Sequence, residues 1–88
     1  MTFKEVKLPQ ELYLVFDGDV EVYKCTLKHI LDVNEDEDKC VFHVDGLLPR
    51  TVQLGVPYSL LDEEEMHLAG VHLYLNQEKA KQKALATT

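Results

Sequence analysis

A mainly β domain of the α+β kind is what this sequence predicts: a small antiparallel sheet of five strands, curled or closed into a barrel, with one C-terminal helix. Three observations carry that expectation. Between Tyr23 and Val33 the odd positions Tyr23, Cys25, Leu27, His29, Leu31 and Val33 are mostly apolar, and Lys24, Thr26, Lys28 and Asp32 are polar. That is the period-two pattern of a strand with one face wet and one buried. Asp17-Gly18 and Asp45-Gly46 lie at the ends of apolar runs, where a tight turn needs positive φ. Asn76 is a preferred N-cap, and Gln77–Ala86 behind it is rich in helix formers.

The elements follow in order within a single domain, residues 1–88. Residues 1–10 read as a linker-like start, 11–75 as the β-rich body and 76–87 as the terminal helix. Leu12–Phe16 is a short run of strand formers, and the Asp-Gly turn leads into a long second strand, Val20–Val33. Asn34–Asp38 is a charged turn, Lys39–Asp45 a third strand, and a fourth lies near Arg50–Leu54, before Gly55 and Pro57. For Tyr58–Ala69 the pattern favours a short helix opened by Asp62–Glu65 over a loose excursion, since acids are stabilising in a first turn. Gly70–Leu75 is the last strand. On the helix, Ala80 and Ala84 share one face and Lys79, Lys81 and Lys83 occupy the rest.

Composition bounds the function. Eighty-eight residues are near the small end of what folds alone, and 45% hydrophobic content suits a soluble globule. No stretch approaches eighteen consecutive apolar residues, so no membrane span is expected. The start, MTFKEVKLPQEL, lacks the apolar core of a signal peptide, which points to the cytoplasm and to cysteines kept reduced. Net charge is −7, with fifteen acids against six bases over residues 1–75 and one acid against three lysines over 76–88. Such a surface repels phosphate backbones, so direct nucleic-acid binding is disfavoured and a basic protein partner is expected. The charge concentrates in Glu35, Asp36, Glu37 and Asp38 and in Asp62, Glu63, Glu64 and Glu65, the candidate partner-binding residues.

Residues 23–46, YKCTLKHILDVNEDEDKCVFHVDG, raise the possibility of zinc, with Cys25-x3-His29 and Cys40-x2-His43. The strand pattern argues otherwise. Pairing Val33 with Cys40, Leu31 with Phe42 and His29 with Val44 puts the apolar residues on one face, and burying Phe42 and Val44 is worth about 1.5–3 kcal/mol each. Cys40 and His43, three apart, then point to opposite faces. Cys25 lies eight residues, about 26 Å, from the position opposite Cys40. No zinc tetrahedron closes over that distance, nor does a Cys25–Cys40 disulfide unless barrel curvature brings the ends round. Shifting the register by one would pair His29 with His43 but drive Phe42 and Val44 into water. Asp32–Asp38 imitates an EF-hand start, yet Glu37 stands where a glycine is needed and His43 where a glutamate is needed. His67 and His72 near Asp62–Glu65 could do acid–base work, with Ser59 as a nucleophile, but no oxyanion loop or phosphate cradle accompanies them. Tyr13, Tyr23, Tyr58 and Tyr74 lack the interleaved bases of a stacking platform. No catalytic residue, cofactor or metal is expected.

The ending Gly70-Val71-His72-Leu73-Tyr74-Leu75-Asn76-Gln77-Glu78-Lys79-Ala80 resembles the close of many small uncharacterised bacterial and phage proteins with SH3-like barrels. There a final strand enters a helix through an apolar pair, a cap and Glu-x-Ala. Asn76 matches the cap, Glu78 the acid and Ala80 the small packing residue. The resemblance implies a barrel with the helix as a lid and carries no activity; Val56–Ala69 departs from the pattern. The expected function is therefore a non-enzymatic, acidic protein-interaction domain of phage-like or mobile-element character. The alternative is an acidic decoy that imitates phosphate spacing to inhibit a nucleic-acid enzyme. A strand edge beside Leu60, Leu61, Met66 and Leu68 would serve a homodimer.

Overall fold

The computed structural model describes residues 1–86. Thr87, placed at the helix end above, lies outside the described residues. Six antiparallel strands form one sheet: β1 (Gln10–Phe16), β2 (Tyr23–Asn34), β3 (Lys39–Asp45), β4 (Val52–Val56), β5 (Glu65–His67) and β6 (Val71–Tyr74), in the order β4-β3-β2-β1-β6-β5. A 3-10 helix, Tyr58–Asp62, connects β4 to β5, and α1 spans Gln77–Ala86. In a flat sheet of this order the two edges would stand about 24 Å apart. Yet Val56 of β4 and Met66 of β5 share one core cluster with Leu12, Leu14, Leu27, Phe42, Val44 and Leu73. The sheet is therefore curled into a half-barrel around that core.

The sixth strand and the 3-10 helix correct the reading of Tyr58–Ala69. Leu61 is buried at the end of the 3-10 helix and Met66 in the middle of β5. These two anchors fix the segment, and the acids between them run from the end of the helix into a strand. The helix expected to open at Asp62 instead ends there, and the alternation of Glu65, Met66 and His67 about the buried Met66 makes the following segment a strand. The fourth strand likewise lies later than expected, because Val56 is buried and pairs with Cys40.

The β2–β3 register is also corrected. Leu27 pairs with Val44, but His29 pairs with His43 and Ile30 with Phe42, with irregularities between Leu27 and His29 and between Leu31 and Asn34. A one-residue bulge near Lys28 switches which side of β2 faces in. Cys25 and Leu27 are buried, Ile30 takes over as the inward residue, and Leu31 and Val33 are 43% and 50% exposed. The bulge gives the His29–His43 pairing without exposing Phe42 or Val44, which are both fully buried.

Phe3 is 1% exposed and its ring meets Phe42 at 5.8 Å. The N–H groups of Phe3 and Lys4 donate to the carbonyls of Glu63 (3.1 Å) and Leu61 (2.8 Å). The start of the chain is thus packed onto the connection between the sheet's two edges rather than linker-like.

α1 lies on the outer face of the sheet and is not a lid over one end. Tyr13, Val15 and Tyr74 form a second cluster with Ala80 and Ala84, whereas Leu12, Leu14 and Leu73 point into the main core. β1 and β6 are buried on both faces for that reason. Asn76 Oδ1 accepts from the N–H groups of Glu78 (2.9 Å) and Lys79 (3.2 Å), satisfying two donors of the first turn. Asn76→Ala is expected to lower stability by about 1 kcal/mol in chemical denaturation. No helix among the described residues is long and apolar enough to cross a membrane.

Candidate functional site

The helix covers only part of the outer face. Over β2, β3 and β4 the outward positions form two cross-strand rows, His29–His43–Gln53 and Leu31–Val41–Gly55. The same bulge that buries Ile30 turns Leu31 outward into the second row. Gly55 has no atom within 4 Å of where a Cβ would lie, and its φ is not in the left-handed region, so its missing side chain leaves open space. A depression of about 520 Å³ lies there, with Cys40, Val41, Gly55, Val56 and Pro57 in its lining and Asp32, Asp38 and Lys39 beside them. That volume falls within the range of ligand-binding clefts. β4 is also an edge strand, with one side of its backbone unpaired in the sheet.

The first acidic run borders this depression. Tyr58 Oη donates to Glu35 Oε1 at 2.6 Å, and Ser59 donates through N–H and Oγ to Asp38 at 2.6 and 3.1 Å. These bonds pin the β2–β3 turn to the start of the 3-10 helix. Glu37 pairs with Lys39 at 2.7 Å, and Asp36 is exposed. The second run lies at the far end of that helix, which at about 2 Å per residue is about 10 Å long. There Asp62 meets Lys4 (3.7 Å), Glu64 meets Lys79 (3.1 Å) and the N-terminal amine (3.4 Å), and Glu65 meets His67; Glu63 is exposed. The two runs therefore bracket one short helix, a proximity with no trace in their 24-residue separation.

The remaining sequence candidates are dispersed. Cys25 and Cys40 are free thiols buried in the core, and Cys25 Sγ donates to the Leu12 carbonyl at 3.4 Å. His29 and His43 lie on the opposite, outward side, with rings 6.4 Å apart. The four share no side of the sheet, and among the described residues no three His, Cys, Asp or Glu side chains converge as metal ligands. Tyr13 and Tyr74 are under α1, Tyr23 donates to Asp19, and Tyr58 donates to Glu35, so the tyrosines form no platform. Leu61 and Met66 are buried, and Leu60 and Leu68 are partly buried against the core. His67 and His72 do meet, but their carboxylates are Glu65 and Asp17 and not Asp62. The outward turn of Leu31 was invisible to strand periodicity because a single inserted residue inverts it. No family model, curated protein or solved structure matches this chain.

Proposed function

We propose that this chain is a non-enzymatic, cytoplasmic protein-interaction domain that receives a basic segment of another protein on the uncovered outer face of β2–β4. One observation carries the reading: an open depression lined by Val41, Gly55, Val56 and Pro57, with Asp32, Asp38 and Lys39 at its border and exposed Leu31 paired beside Val41. An apolar floor with acids at its border suits an apolar anchor side chain flanked by Lys or Arg. The anchor supplies burial, and the charges supply orientation and association rate.

The decoy alternative draws less support from the same residues. Glu37, Asp62 and Glu64 already pair with cations of the chain, and Glu35 and Asp38 hold the turn in place. Acids engaged in this way present little of the regular negative ladder that a phosphate mimic needs.

A displayed random-peptide library panned on the whole chain tests the proposal. Selected peptides are expected to carry an apolar residue beside two or more bases, and to weaken about tenfold or more on Gly55→Trp, which fills the depression. Partners captured from lysate at low and high salt should show the same dependence on Gly55. A library that yields no basic-apolar consensus, or binders indifferent to Gly55→Trp, refutes the reading. Binders lost only on charge reversal at both acidic runs, with steep salt dependence, would favour the decoy.

A further inference from the structure

The β5–β6 hairpin carries a second feature, independent of the interaction surface. His67 and His72 are cross-strand partners, and their side chains join Glu65 and Asp17 in one continuous chain of polar contacts. His67 Nε2 lies 3.0 Å from Glu65 Oε1, His72 Nε2 lies 2.6 Å from Asp17 Oδ1, and the two Nδ1 atoms face each other at 2.8 Å. An ionised carboxylate only accepts, so each Nε2 is the donating nitrogen of its ring. A neutral imidazole protonated on Nε2 keeps a lone pair on Nδ1. Two lone pairs cannot face each other at that distance unless a cation lies between them.

We infer that the two Nδ1 atoms form a bidentate site for a borderline divalent metal ion of the zinc, nickel or copper class. Imidazole nitrogen suits these ions, and carboxylates bonded to the distal nitrogens are the usual support of metal-binding histidines, fixing tautomer and ring orientation. Two tetrahedral metal–nitrogen bonds need the nitrogens about 3.4 Å apart, roughly half an ångström wider than the pair stands without metal. His67 supplies the movement, since its side chain is 47% exposed, while His72 is 13% exposed and anchored by Asp17. Asp17 is itself held, its N–H donating to the Gly70 carbonyl at 3.0 Å. The Tyr74 ring packs edge-on against His67 at 5.8 Å and supplies no further charge. The carboxylates of Glu65 and Asp17 add negative charge behind the two rings, which favours a divalent cation between them, and water fills the remaining coordination positions.

Calorimetric titration of the full chain with Cu²⁺, Ni²⁺, Zn²⁺ and Mg²⁺ tests this. One ion is expected to bind per chain, tightest for Cu²⁺ and undetectably for Mg²⁺. Nitrogen NMR should show the Nδ1 resonances of His67 and His72 shifting with Zn²⁺. His67→Gln should abolish binding, and Asp17→Asn should weaken it about 10–100-fold while the unfolding midpoint without metal changes little. The double variant His29→Gln/His43→Gln should bind as the original chain does. Three results would overturn the site: undiminished binding by His67→Gln, shifts at His29 and His43 instead, or no binding of any of the three transition metals.

Discussion

Replacing Phe3 with alanine is expected to destabilise the domain by about 3–5 kcal/mol, the range for removing a large aromatic from a packed core. A domain of this kind has only about 5–15 kcal/mol in total, and the thermal midpoint should fall by on the order of 20 °C. The reason is where Phe3 stands. It fills the interior of the half-barrel against Phe42, and its backbone bonds to the segment that carries the chain from one sheet edge to the other. Truncating the ring leaves a cavity where both edges meet. Leu8→Ala, a few residues on at a position 38% exposed, should change stability by no more than about 0.5 kcal/mol. Urea denaturation of the two variants side by side measures the contrast. A loss below about 1 kcal/mol for Phe3→Ala would show that the start of the chain is dispensable to the core.

Phe3 also shows where sequence reasoning stops. A lone phenylalanine among Thr, Lys and Glu has no periodicity, and its burial comes from the curl of a sheet whose nearest strand begins seven residues later. Lys39–Asp45 was legible to the residue because its alternation runs uninterrupted between a charged turn and Asp-Gly. The helix was legible because Asn76 and the Ala80/Ala84 spacing are local signals. Its position was not, since Tyr13, Val15 and Tyr74 read equally well as core or rim until the sheet gives them a side. The candidate surface depends on the most hidden feature. Leu31 sits at an apolar position of a regular pattern, and the bulge near Lys28 places it outside, while Val33 lies within a second irregularity, between Leu31 and Asn34. The histidine pair failed for another reason. His67, His72 and Glu65 are near in sequence, but Asp17 is 55 residues from His72 and arrives through the pairing of β1 with β6.

Taking the pH from below 9 to above 11 is expected to remove about 2–3 kcal/mol of stability through Cys25 alone. Burial pushes the Cys25 thiol from 9.0 up to about 11, and the same cause, aided by Asp38, raises Cys40. The folded state therefore holds these protons more tightly than the unfolded chain does. Stability from that difference is fully present below pH 9 and is lost as pH climbs through the folded value, because unfolding then releases a proton. Two pKa units at about 1.36 kcal/mol each set the size. Tyr74, raised first by burial and then by Glu65, acts in the same direction. Urea midpoints across this range should fall steadily for the original chain and more shallowly for Cys25→Ala, since the alanine chain has lost the largest contribution to the slope. The thiol supplies an independent check. At pH 8 a two-unit rise cuts the thiolate fraction about 100-fold, so Cys25 should react with a maleimide at least that much more slowly than a free thiol, and at the free rate in urea. An unchanged pH slope in Cys25→Ala, or fast labelling of the folded chain, would mean that the β1–β2 side of the core is open to water and that the half-barrel does not close over it.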